Sequence, residues 1–156
     1  MRISSLFLAL SVLLVTSSGC LKNDTCSPRS VSSEADDIEE YASLIGMNTS
    51  THSSGLYYEI LDPGTGDAPE ANSTIFIRYT GKLLDGTVFD ERTDASTTGW
   101  PLSGLIEAWR IGVPLIREGG HIRLLVPSSL AYGCANYGAI PGNSILYFDI
   151  ELVDVQ

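Results

Sequence analysis

The rhythm of apolar positions changes several times along the chain. Leu6 to Val15 are almost continuously apolar, preceded by one positive charge at Arg2 and followed by small residues. This layout predicts a secretory signal over residues 1–19, because the run is too short to cross a bilayer comfortably. The next stretch, "LKNDTCSPRSVSS", has no hydrophobic period and predicts a tether. In "SSEADDIEEYASLIGMN" the apolar residues Ile38, Tyr41, Leu44 and Ile45 fall on one face at helical spacing. Ser33 is the expected cap, with acidic residues in the first turn. The stripe of this short helix can rest on the domain that follows, on a partner, or on a second copy.

From Leu56 onward the period shortens to two. "LYYEIL" predicts a strand, and Ile75, Ile77 and Tyr79 alternate with Phe76, Arg78 and Thr80 in another. Asp85-Gly86 is a hairpin signal, read as a type I′ turn in which the central residues take positive φ. "GLIEAWRIGV" predicts a short helix stopped near Gly112 and Pro114. His121 opens a strand with Ile122, Leu124 and Val126 on the opposite side. Leu146, Phe148, Ile150 and Leu152 form the inward set of the last strand, against Tyr147, Asp149, Glu151 and Val153. An antiparallel sheet wrapped around one short helix buries both apolar faces, so the fold class is α+β. The segments are residues 1–19 (signal), 20–52 (Cys20, tether and helix) and 53–156 (domain).

Charge narrows the partners. The chain carries a net charge of -10, and its nine Lys and Arg are scattered. A nucleic-acid partner is therefore not expected, since phosphate binding needs clustered cations. His52 and His121 are far apart and predict no metal site, His121 being read as a surface residue. There is no G-x-S-x-G elbow and no phosphate loop with its lysine, and no cofactor is expected. Of the three cysteines, Cys26 and Cys134 are read as free thiols, with a disulfide as the alternative open to an exported chain.

Against that acidic background "AYGCANYGAIP", residues 131–141, holds no charge. The remaining signal is aromatic: Tyr79, Phe89, Trp100, Trp109, Tyr132, Tyr137 and Phe148 stand beside turn residues. On pattern alone Trp109 and Phe148 read as core.

Two resemblances add to these readings. Ser17-Ser18-Gly19-Cys20 resembles a bacterial lipobox, with Ser17 where leucine is usual. This implies an acylated Cys20 and a membrane-anchored lipoprotein of the cell envelope, facing the periplasm or the cell surface. "YTGKLLDGTVFDE", "GLIEAWRIGVPLIREGGHIRLLVPSSLAYG" and "GAIPGNSILYFDIELVDV" resemble the FKBP-type peptidyl-prolyl cis–trans isomerases over about residues 54 to 156. The resemblance implies an FKBP-like half-barrel around its helix, a role in folding exported proteins, and proline-containing peptide segments as substrate. It also implies Trp109 as the floor beneath a substrate proline, and Tyr79, Phe89 and Phe148 as aromatic walls. Leu105 and Ile106 would lie along the peptide, Asp90 would orient its amide, and Tyr132 would donate to its carbonyl. Ile140 and Tyr137 fall in the flap and Trp100 on the strand before the helix. A macrolide inhibitor of the family is a further implied ligand.

Three departures are visible: Ala108 precedes Trp109 where glycine is usual, "TTGWPLSG" is short, and no arginine is placed to pair with Asp90, Arg92 being only two residues away. The competing readings are a peptide- or client-binding chaperone module without turnover, and a structural lipoprotein assembling through residues 33–46.

Overall fold

Residues 26–156 are described in a computed structural model of the chain. The signal segment, Cys20 and the first part of the tether lie outside the described residues. Two ten-residue strands, β3 (Thr74–Leu83) and β7 (Leu146–Val155), pair antiparallel along nearly their full length. Around them a seven-stranded antiparallel sheet is completed by β1 (Ser50–Thr51), β2 (Tyr57–Asp62), β4 (Val88–Arg92), β5 (Trp100–Pro101) and β6 (His121–Val126). The order is β1-β2-β6-β7-β3-β4, with β5 pairing β3 separately.

Alternation places one set of side chains on the inner face. Ile75, Ile77, Ile122, Leu124, Leu146 and Ile150 have no exposed surface there, each worth about 1.5–3 kcal/mol of burial. Onto this face folds α2 (Glu107–Gly112), presenting Ala108, Trp109 and Gly112 to the sheet. It stops where the sequence predicts, because Pro114 has no N–H to continue the ladder.

The outer face is not simply solvated. Tyr57, Leu125 and Tyr147 stand opposite one another across β2, β6 and β7, and all three are buried. A second helix, α1 (Val31–Leu44), covers this row with Ile38 and Ala42. The apolar stripe of the N-terminal helix therefore rests on the chain's own sheet. Its seam follows i, i+4 spacing through Glu34, Ile38 and Ala42. Leu44, expected on that seam, drifts off it at the last turn and is 79% exposed.

The helix also starts earlier than expected. Ser30, not Ser33, is the cap: its hydroxyl accepts from the Ser33 N–H at 3.2 Å, and the Ser33 hydroxyl donates to the Ser30 carbonyl at 2.7 Å.

One row further along the outer face, Glu59, Arg123 and Asp149 stand opposite one another, so the covering helix ends where charge begins. His121 is half-buried here, bonded to Asp149 at 2.5 Å. Arg123 and the Tyr147 hydroxyl also donate to that carboxylate. Burial works against the Asp149 charge, but these three donors, His121 foremost, outweigh it and hold its carboxyl below the usual range.

The β3–β4 hairpin is real, but its turn differs from the expected one. Leu83 N–H donates to Thr87 O across a three-residue loop, and within it only Gly86 takes positive φ, at 88°. Asp85 does not take positive φ and instead accepts from Thr87 N–H at 2.8 Å. Such a loop closes on a single left-handed glycine, as three-residue hairpin loops commonly do.

Cys26 and Cys134 form a disulfide, with their Cα atoms 5.3 Å apart. This corrects the free-thiol reading. The segment before α1 returns to the 131–141 loop, a proximity that 108 residues of separation conceal in the sequence.

Candidate functional site: an aromatic groove at the start of the second helix

Strand pleating and the short α2 helix bring five aromatic rings to one place. Trp109 projects from the helix against Tyr79 of β3, with ring centroids 4.9 Å apart and planes at 85°. It meets Phe148 of β7 at 5.2 Å and 83°. Phe89 of β4 stands edge-on to Phe148 at 5.6 Å. Trp100 reaches Tyr79 at 6.1 Å, because β5 pairs it with Ile75. Edge-to-face contacts of this kind add about 0.5–1.5 kcal/mol each beyond area burial, so the walls are stiff.

These rings enclose an open groove of about 370 Å³. Tyr79, Phe89, Asp90, Trp100, Leu105, Ile106, Trp109, Tyr132 and Phe148 all line it, joined by Pro101 and Gly104. Trp109 and Phe148 belong both to the core and to the groove. They are only 4% and 3% exposed, yet both line the groove. Sequence periodicity cannot separate the two roles. The Trp109 indole Nε1 is buried and has no hydrogen-bond partner among the described residues.

Two expected residues lie outside the lining. Ile140 is buried in the core, 5% exposed, and exchanges backbone hydrogen bonds with Tyr137 at 2.9 Å each. Tyr137 is 60% exposed and stacks flat on Tyr132, centroids 4.2 Å apart and planes 9° off parallel. It reaches the groove through Tyr132.

The polar side of the groove is compact. The Tyr79 hydroxyl donates to Asp90 Oδ2 at 2.6 Å, and Arg92 donates to Asp90 Oδ1 at 2.7 Å. An arginine does pair with Asp90, contrary to expectation. Residues two apart on a strand share a face, so short separation favours the contact.

Burial, then the bond to Asp90, push the Tyr79 hydroxyl well above its ordinary value. Tyr132 is raised by burial first, with Tyr137 and Asp90 adding. Both phenols stay protonated as donors. Leu105 and Ile106 precede α2 in extended backbone, and the Ile106 carbonyl caps the helix by accepting from Trp109 N–H at 3.0 Å and Arg110 N–H at 3.2 Å. Among the described residues no group of three or more His, Cys, Asp or Glu could hold a metal ion.

Sequence reasoning also missed Gly81. A Cβ there would lie 2.6 Å from Phe89 Cζ and 3.0 Å from Phe148 Cε1, so its absence makes room for two walls of the groove. The available signal was an isolated glycine within a strand pattern.

Comparison with known proteins fits this geometry. Residues 66–153 match the family model described as FKBP-type peptidyl-prolyl cis-trans isomerase. The chain is 43% identical over 122 residues to the FKBP-type peptidyl-prolyl cis-trans isomerase FkpA of Escherichia coli strain K12, covering 76% of this chain and 43% of that protein. It is 40% identical over 104 residues to the protein of the same name from Aeromonas hydrophila, covering 66% and 39%. The chain thus spans less than half the length of these relatives.

Among solved structures, FkpA from Escherichia coli aligns with a TM-score of 0.69 at 36% identity, over 81% of this chain and 61% of that one. A peptidyl-prolyl cis-trans isomerase from Pseudomonas syringae pv. tomato aligns with a TM-score of 0.67 at 28% identity, over 83% and 98%.

Proposed function

The chain belongs to the FKBP-type peptidyl-prolyl cis-trans isomerase family, and from that premise we propose that it catalyses rotation about X-Pro bonds in exported proteins. The observation that carries the reading is the open aromatic groove lined by Trp109 together with Tyr132 and Asp90. An X-Pro bond turns slowly because twisting it destroys amide resonance, a barrier of about 18–20 kcal/mol. Midway the amide is less dipolar than when planar. An aromatic pocket therefore penalises the planar form more than the twisted one, and only such a difference accelerates a reaction.

In this reading the proline ring rests on Trp109 between Tyr79, Phe89 and Phe148, and the peptide runs along Leu105 and Ile106. Tyr132 donates to a peptide carbonyl. Asp90, fixed by Tyr79 and Arg92, orients the polarised amide. No proton changes hands. The groove's ring-lined walls also suit a macrolide of the kind that inhibits this family.

The test is a protease-coupled assay on a short X-Pro peptide. The reading expects the cis-to-trans rate to rise in proportion to protein added and to fall with Tyr132→Phe or Asp90→Val. A rate equal to the uncatalysed one would leave a binding module.

Anchoring and location belong to the same proposal. We assign acylation to Cys20 and place the domain in the cell envelope. The Cys26–Cys134 disulfide supports export, because such bonds persist outside the reducing cytosol. Lipid labelling that disappears in Cys20→Ser is the expected result. Self-association through residues 33–46 has little apolar surface left beyond Leu44, and size-exclusion chromatography of Leu44→Ser against the parent chain tests it.

A further inference from the structure

Tyr132 sits in a loop, and three ties run from the start of the described chain to the residues around it. Cys26 is bonded to Cys134, two residues beyond Tyr132. The Asn143 side chain accepts from Arg29 N–H at 3.3 Å and donates to the Ser27 carbonyl at 3.0 Å. The backbone N–H of Asn143 donates to the Gly133 carbonyl at 2.8 Å.

The third tie is the most specific. Glu34 has no exposed surface, and its two carboxylate oxygens accept from Ser128 N–H at 2.8 Å and Ser128 Oγ–H at 2.6 Å. The Ser128 carbonyl in turn accepts from Ala131 N–H at 3.1 Å and Gly133 N–H at 2.8 Å, the two residues flanking Tyr132.

A buried carboxylate is costly unless its oxygens are satisfied, and this one commits both to a single distant residue. Helix α1 does not need it as a cap, since Ser30 already fills that role. Its burial is instead explained by what Ser128 holds. We propose that residues 26–34 form a strap that fixes the loop bearing Tyr132, with Glu34 as a positioning residue for the isomerisation. The inference rests on the isomerase reading of the groove. A donor that must meet a carbonyl in a distorted amide is effective only when its placement is fixed beforehand. Glu34 supplies that placement through Ser128, while stacking on Tyr137 sets the plane of the ring.

The test uses the full chain with Glu34→Ala, Glu34→Gln and the pair Cys26→Ser with Cys134→Ser, each alone and with Tyr132→Phe. Turnover of an X-Pro peptide and amide exchange at Ala131 and Gly133 are read together. In Glu34→Ala, kcat/KM is expected to fall about threefold to fivefold, mostly in kcat, and exchange at Gly133 to quicken about tenfold or more. Glu34→Gln, which keeps one acceptor, should recover part of both losses. With Tyr132→Phe already present, Glu34→Ala should cost less than about a further 1.5-fold, since the group it acts through is gone.

Equal losses in both backgrounds, or a folded Glu34→Ala chain with unchanged kcat/KM, overturn the strap. If Glu34→Ala does not fold, the cysteine pair is judged by the same criteria. A parent chain that turns over no X-Pro peptide sinks the isomerase reading instead, and unchanged exchange at Gly133 would then reject the strap by itself.

Discussion

Gly81 and Tyr132 show how single atoms set the groove. Gly81 lies in β3 opposite Asp90 on one side and Phe148 on the other. Adding a methyl group there pushes Phe89 and Phe148 out of place. Overpacking of this kind costs about 1–3 kcal/mol, and here the displaced rings are walls of the cavity. Gly81→Ala is expected to lower kcat/KM by a larger factor than its loss of stability explains, which peptide turnover and urea denaturation measured on the same sample will reveal. Tyr132→Phe deletes one hydroxyl and little packing. It should cost about fivefold to tenfold in kcat/KM, the worth of one well-placed hydrogen bond, while leaving the melting temperature within about 1 °C. Residue identities of this kind were legible in the sequence wherever a family pattern fixed their order. Gly81 was not, because a strand glycine announces a close approach without saying to what. Arg92 was set aside for its nearness to Asp90, which on a strand is the reason they meet.

Strands and helices were the most readable elements, since alternation in β6 and β7 and the stop at Pro114 follow directly from period and backbone chemistry. What alternation hid was the use of the second face. Tyr147 was assigned outward with Asp149, yet α1 covers the first and leaves the second. Sequence distance concealed this partnership, because nothing near residue 147 points to residue 38. The polar row beyond the helix carries its own prediction. The Asp149 carboxyl titrates below its usual value in the folded chain, so its stabilising contribution is complete above the unfolded carboxyl's pKa, ordinarily about 3.9. That contribution fades as pH falls through the lower folded value. Asp149→Asn should therefore lower stability by about 1 kcal/mol at neutral pH. The difference from the parent chain should shrink progressively in urea titrations as pH is taken below about 3.9.

Across the molecule, the sheet holds a helix on each face, and the disulfide joins the beginning of the described chain to the loop over the groove. In chain-entropy terms, a bridge spanning 108 residues is worth up to about 4–5 kcal/mol. Replacing Cys26 and Cys134 by serine should lower the free energy of unfolding by that order, measured by urea denaturation without reductant. A loss under about 1 kcal/mol would mean that the hydrogen bonds of Ser27, Arg29 and Glu34 hold the segment unaided. The covering of α1 also bears on the order in which the polypeptide matures. Ile38 and Ala42 share their cluster with Leu125, Ile145 and Tyr147, which leave the ribosome long after the helix itself. Until they arrive, the helix has an uncovered greasy flank and little reason to stay wound, a short helix being marginal alone in water. The first described element to emerge is thus the last to settle, and a nascent chain halted before residue 125 would display a sticky site of the kind that attracts holding chaperones.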